Sequence, residues 1–248
     1  MKLDILAFGV HPDDVELSCA GTLLTEKKNG KKVGIIDLTK GELGTRGTAE
    51  TREQEAAQAA AILKVDVRDN LSMADGFFKN DKETQLKIIT ALRKYKPEII
   101  LCNAVEDRHP DHGRSAQLVA DAAFLSGLRK IVTYSDEVER KLQVAWRPEY
   151  VFNYIQDRFI QPDFVVDITD VFEKKIEAIK AFKTQFFNSE IPGEDEPRTY
   201  ISSPEFLDSV IYRSKMFGRM IGVKYGEGYT SKKMIGIRSF DNIIKENT

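Results

Sequence analysis

Short, unbroken runs of apolar residues alternate with amphipathic stretches through the first half of the chain. LDILAFG predicts a buried strand over 3–9, KVGIIDLT a second over 32–39 and EIILCN another over 98–103. VRDNLSM, less apolar, predicts a weaker strand over 67–73. Between them, AGTLLTEKKNG predicts a helix stopped by Gly30, and TREQEAAQAAAILK a helix of high intrinsic propensity with one apolar face. DKETQLKIITALRKYKP predicts a helix ended by Pro97, and HGRSAQLVADAAFLSG one closed by Gly127. Strands that are apolar throughout, rather than alternating, are those covered by helices on both faces. The β-α-β-α-β-α-β order with right-handed crossovers predicts an α/β fold: a Rossmann-like, three-layer αβα arrangement around a mostly parallel sheet.

The second half is less regular. EYVFNYIQ (149–156) and DFVVDIT (163–169) predict two further strands, and VFEKKIEAIKAFKTQF a helix over 171–186. NSEIPGEDEPRTYISSP, rich in Pro, Gly, Ser and acids, predicts a long surface loop over 188–204, of a length that often serves as a lid. EFLDSVIYRSKMFGRMIG predicts a last helix, and GVKYGEGYTSKKM (222–234) a turn and docked coil. With no internal repeat and no linker, residues 1–248 are expected to form one domain.

Composition narrows the function classes. Acids and bases are interspersed and the formal net charge is −2, so no basic block points to nucleic acid. The first apolar run is too short to span a membrane and lacks signal-peptide features, and nothing later is long enough to span one either; a cytoplasmic protein is expected. The 2 cysteines, Cys19 and Cys102, form neither a disulfide framework nor a CxxC motif and are expected to be small buried residues.

Histidine changes the picture. The chain has only 3, and all lie in two carboxylate-bearing stretches, FGVHPDDVEL and EDRHPDHGRS. His11, Asp13 and Asp14 follow the first predicted strand; His109, Asp111 and His112 follow EIILC. Ligands of open parallel sheets bind beyond the carboxyl ends of the strands, so both stretches belong on one rim. A lone histidine would mean little, but imidazoles and carboxylates gathered this way are the ligands of zinc and similar divalent metals. His11, Asp14 and His112 are assigned as metal ligands, leaving a fourth position open as catalytic sites do. Asp13 is then a general base for a metal-activated water, and His109 polarises or protonates the substrate, with Asp111 orienting its ring. Pro12 and Pro110 stiffen the two loops.

KGELGTRGTAETREQEA follows the second strand and runs into a helix N-terminus, a natural anion site. Arg46 and Arg52 flank it as candidate substrate clamps, since guanidinium grips carboxylates bidentately. Arg108 reads as a loop brace.

Taken together, the HPDD and HPDH stretches resemble the LmbE/PIG-L family of zinc-dependent N-acetylglucosaminyl deacetylases. LAFGVHPDDVELSCAGTL, GELGTRGTAETREQEA, QPDFVVDIT, KMFG and GVKYGEGYTSKK extend the likeness over nearly the whole chain, towards the bacillithiol-biosynthesis branch that deacetylates N-acetylglucosaminyl malate. The resemblance implies Zn2+, or another divalent metal such as Fe2+, on His11, Asp14 and His112. It implies Asp13 as base, His109 as oxyanion stabiliser or acid with Asp111 behind it, and Arg52 as a substrate-binding residue. It also implies a small-molecule sugar-conjugate substrate and a homo-oligomer, a hexamer in relatives. Some relatives place a late tyrosine near the oxyanion; Phe206 stands about there, with Tyr200 nearby. Two histidines and a carboxylate also form the facial triad of non-haem iron oxygenases, but those enzymes favour antiparallel β folds and have no use for a neighbouring base. A non-catalytic binding module would leave Asp13 and the His109–Asp111 pair without a role. A deacetylase of another N-acetyl sugar conjugate is the nearest rival.

Overall fold

In the computed structural model, residues 1–136, 138–186, 197 and 199–244 are described. The first half follows the expected alternation: β1 (Ile5–Gly9), α1 (Asp14–Ser18), α2 (Ala20–Lys28), β2 (Val33–Thr39), α3 (Ala49–Leu63), β3 (Val67–Met73), α4 (Lys82–Tyr95), β4 (Ile99–Cys102) and α5 (Pro110–Ser126). The second half contributes β5 (Tyr134–Asp136), β6 (Lys141–Leu142), β7 (Tyr150–Tyr154), β8 (Phe164–Asp167), α6 (Phe172–Lys180), α7 (Pro204–Met220) and β9 (Gly226–Ser231).

The main sheet has the order β3-β2-β1-β4-β7-β9-β8. Its ladders are parallel from β3 through β7, while β9 runs antiparallel to both β7 and β8. Helices lie on both faces, as the apolar strands require. In β1, Ile5 and Ala7 join the core on one face with α2, α3 and α6, whereas Leu6 and Phe8 join the core on the other with α4 and α5. Strand β1 is flanked by β2 and β4, with Ile5 in register with both Val33 and Ile99. From β1 the chain winds outward through β2 and β3, then returns to β4 on the opposite side. This is the topological switch point of the sheet, and both histidine-bearing loops leave from it.

The segment 222–234 is not a docked coil. Its residues Gly226–Ser231 form β9, inserted between β7 and β8. Glycines hide this strand from propensity arguments, yet packing explains them. A Cβ on Gly226 would stand 2.6 Å from Val165 Cγ1 and 2.9 Å from Gly218 N, and one on Gly228 would stand 3.0 Å from the Phe217 ring. Helix α7 therefore lies against β9 at a distance only glycine permits. At the centre of β9, Glu227 accepts hydrogen bonds from Gly21 N (2.9 Å), Thr22 N (2.7 Å) and buried Lys175 Nζ (2.6 Å), tying the strand to α2 and α6.

Other boundaries differ as well. The helix expected over 171–186 stops at Lys180, and the chain then turns so that Phe182 and Phe186 enter the core. The 188–204 loop lies mostly outside the described residues. Helix α5 begins at Pro110, two residues before the expected start, so His109 is its N-cap and Asp111 and His112 occupy its first turn. The one-turn helix α1 and the β5–β6 hairpin were not expected. Cys19 and Cys102 are both buried. Among the described residues, no helix is long and apolar enough to cross a membrane.

Candidate active site

The switch point converts two distant stretches into one cluster. Asp14 opens α1, and its carboxylate is held from several sides. Oδ2 accepts from Val10 N (2.9 Å), His11 N (3.0 Å) and Asn103 Nδ2 (2.9 Å), while Oδ1 accepts from Gln156 Nε2 (2.5 Å). His112 Nε2 lies 3.3 Å from Oδ1, and His11 Nδ1 3.8 Å from Oδ2. Burial would raise the Asp14 pKa, but His112 and His11 outweigh it and hold this carboxyl well below the usual range.

Each imidazole that faces Asp14 is gripped from behind. His11 Nε2 meets Asp75 Oδ1 at 2.9 Å, and His112 Nδ1 meets Asp107 Oδ2 at 2.6 Å. A carboxylate on the outer nitrogen draws the proton there and leaves the inner nitrogen, His11 Nδ1 or His112 Nε2, with its lone pair towards Asp14. Metal-ligating histidines are characteristically backed in this way. His11 Nδ1 and His112 Nε2 thus approach the two oxygens of Asp14, and imidazole nitrogens with a carboxylate are the donor types that zinc and related divalent ions take, so the chemistry of these residues fits such an ion. Without one, burial works against a charged His112, but Asp14 and Asp107 prevail and lift its pKa to about 10. Ring nitrogens of His11, His109 and His112 all lie within 4.8 Å of one another.

Asp13 is buried and caps α1 with φ 129° and ψ −24°, a strained conformation for a residue other than glycine. Burial pushes its carboxyl up to about 7, against the opposing charge of Arg52. His109 lines the same cavity. Its Nδ1 accepts from Asp111 N (3.3 Å), so we assign its proton to Nε2. Burial, then the charges of His11 and His112, lower its pKa and favour the neutral ring. The cavity, of about 320 Å³, is lined by this cluster together with Tyr200, Phe206 and Arg213.

A scan against protein families matches residues 6–123 to the family described as PIG-L: GlcNAc-PI de-N-acetylase. The conserved protein TT1542 from Thermus thermophilus superposes with a TM-score of 0.82 at 33% identity, over 95% of this chain and 98% of its own. The chain belongs to the PIG-L family. Its relatives include deacetylases, hydrolases that act on N-acetyl amide bonds. Diacetylchitobiose deacetylase of Thermococcus kodakarensis is 26% identical over 90% of this chain and 81% of its own length. The 4-oxalmesaconate hydratase of Pseudomonas putida is 25% identical over 73% of each. The PIG-L match spans β1 to α5, with every histidine inside it, whereas Gln156 and the α7 wall of the cavity lie beyond.

Several residues of this PIG-L chain sit otherwise than their sequence positions suggested. The Asp111 carboxylate does not back His109: it accepts from Gly76 N (2.9 Å) and Arg114 Nη1 (2.6 Å), because the first turn of α5 leans it towards the loop after β3. Arg52 is buried, with Nη2 on Pro12 O (2.9 Å) and Asp13 Oδ2 (3.2 Å) and Nη1 on Gly41 O (3.1 Å), so its guanidinium holds the protein rather than open space. Arg46 is half-buried on the cavity wall. Arg108 is the expected brace, with Nε on Asp157 Oδ2 at 2.9 Å and its guanidinium 4.5 Å above the Tyr200 ring. Phe206 is buried in the wall and supplies no hydroxyl; the Tyr200 hydroxyl donates to Asp157 Oδ1 (3.1 Å). Asp75, Asp107, Asn103 and Gln156 do not stand out in the sequence. All four follow the carboxyl ends of parallel strands, and that position is the signal that could have found them.

Proposed function

We propose that this protein removes the N-acetyl group from an N-acetylglucosaminyl conjugate, N-acetyl-α-D-glucosaminyl L-malate being the leading candidate, and releases acetate and a free amine. The observation that carries this reading is the convergence of His11 Nδ1, Asp14 and His112 Nε2 beside a buried Asp13. These three residues would hold Zn2+, or another divalent ion such as Fe2+. Bound there, the metal would polarise the amide carbonyl and lower the pKa of a water molecule.

The chain's own groups do the rest. Asp13, its pKa brought to about 7 and its orientation held by Arg52, takes the proton of the attacking water. Neutral His109 donates its Nε2–H to the oxygen that gains charge as the C–O bond forms. As the C–N bond breaks, the leaving nitrogen needs a proton, and Asp13 now carries one. Arg46 is a candidate contact for the conjugate. Residues 1–248 acting as one domain, and assembly into a hexamer, rest on pattern and resemblance; light scattering tests the second.

The hydratase relative favours a second reading, addition of water to an unsaturated dicarboxylate. A free-amine assay on purified protein decides between them. N-acetylglucosaminyl malate, N-acetylglucosamine and a phosphoinositol conjugate are each supplied with and without chelator, beside an unsaturated dicarboxylate followed by absorbance. Chelator-sensitive amine release is expected. Hydration of the dicarboxylate with no amine from any sugar would replace this reading by the second.

A further inference from the structure

The cavity holds a guanidinium that the proposed chemistry leaves unused. Arg213, on α7, is half-buried and lines the wall beside Tyr200 and Phe206. Its one hydrogen bond among the described residues runs from Nη2 to Leu17 O, at 3.2 Å. No carboxylate among those residues lies within ion-pair distance of it, although Asp157 and Asp107 act on it from further off. Asp157 is already taken by Arg108 and Tyr200, and Asp107 by His112.

Two other arginines of the cavity are held by protein groups. Arg52 is spent on Asp13 and two backbone carbonyls, and Arg108 on Asp157 and the Tyr200 ring. A guanidinium carries five N–H donors in a fixed fork, and that of Arg213, half-buried with one backbone carbonyl as its hydrogen-bond partner, keeps donors open to the cavity for an anion. Burial indeed lowers the Arg213 pKa below the ordinary arginine range. Leu17, whose carbonyl takes Nη2, lies three residues along α1 from Asp14, and Arg213 lines the same cavity as His11, Asp14 and His112.

We propose that Arg213 is the receptor for an anionic group, carboxylate or phosphate, on the aglycone of the sugar conjugate, and so sets the enzyme's preference for acidic over neutral substrates. This rests on the deacetylase reading above and moves the clamp role from Arg52 to a residue the sequence did not single out.

Zinc-loaded wild type, Arg213→Met and Arg213→Lys are compared on N-acetylglucosaminyl malate, N-acetylglucosamine 1-phosphate and neutral methyl N-acetylglucosaminide. In Arg213→Met the ratio of kcat/KM for the preferred acidic substrate over the neutral one falls at least about tenfold, through KM, since a charge-assisted pair is lost. Arg213→Lys, which keeps charge but not the fork, falls between. The two acidic substrates tell carboxylate from phosphate. An unchanged ratio in Arg213→Met, or a wild type with no acidic preference, overturns the proposal. If the wild type hydrolyses none of the sugars, the deacetylase reading fails by itself, and calorimetry with glucosaminyl malate decides on Arg213. Binding that Arg213→Met weakens about tenfold upholds the receptor; binding indifferent to the substitution removes it.

Discussion

His11 Nε2 and Asp75 Oδ1 stand 2.9 Å apart, joining the loop after β1 to the loop after β3. Asp75 Oδ2 also accepts from Leu43 N at 3.0 Å, so its carboxylate is held before the histidine meets it. The pair fixes both the ring plane of His11 and the nitrogen that carries its proton. Asp75→Asn, whose amide can turn a donor towards Nε2, is expected to weaken metal affinity about 10–100-fold. Asp107→Asn should do the same through His112. Competition with a chromogenic chelator measures both, and undiminished affinity in both variants would show that the aspartates do not tune the ligands.

Asp13 touches neither facing imidazole nitrogen, and its work as base is separable from metal binding. Asp13→Ala should keep its metal, by elemental analysis, and lose about 10²–10⁴-fold in turnover. Full activity in the metal-loaded variant would refute the base assignment.

Arg52 offers a test of the same group by pH. Its charge opposes the burial that raises the Asp13 pKa. Arg52→Gln removes that opposition, so the Asp13 pKa rises further. A base works only when deprotonated, and the acid limb of kcat/KM should therefore move to higher pH than in the wild type. A limb that stays in place, or moves to lower pH, would separate Asp13 from the titration that governs the rate.

Much of this site is legible in the amino-acid sequence. The three histidines and their neighbouring aspartates lie at the ends of two apolar strands, and the parallel β1–β4 pair makes those ends adjacent. The backing carboxylates could not be singled out among 39 acids: nothing local marks Asp75, and Asp107, although inside EDRHPDHGRS, is not told apart there from its acidic neighbours. The side-chain directions of Arg52 and Asp111 were equally hidden. They depend on how the 40–48 loop and the first turn of α3 lie against Pro12 and on where α5 begins. Strand β9 was missed because Gly226 and Gly228 answer to the approach of α7, a contact distant in sequence. Gly226→Ala is accordingly expected to cost about 1–3 kcal/mol in urea unfolding, from overpacking against Val165 and the α7 backbone. An unaltered midpoint would mean that α7 yields at little cost.

The Lys175–Glu227 pair makes a sharper prediction because its two members are unequally supported. Glu227 also accepts from Gly21 N, Thr22 N and Thr22 Oγ1, at the N-terminal end of α2, where negative charge is favoured. Among the described residues, Lys175 Nζ has Glu227 as its one hydrogen-bonding partner, and both side chains are buried. Removing the acid strands a buried ammonium together with the α2 amides and the Thr22 hydroxyl; removing the lysine leaves a carboxylate that keeps its bonds from α2 and a longer one from the Tyr229 hydroxyl (3.4 Å). Glu227→Ala should therefore cost about 3–5 kcal/mol in denaturant unfolding, and Lys175→Met distinctly less. The double variant should be more stable than Glu227→Ala alone, since it removes the stranded charge. The reverse order of the single variants would mean that the α2 amides contribute little and that the lysine alone sustains the buried acid.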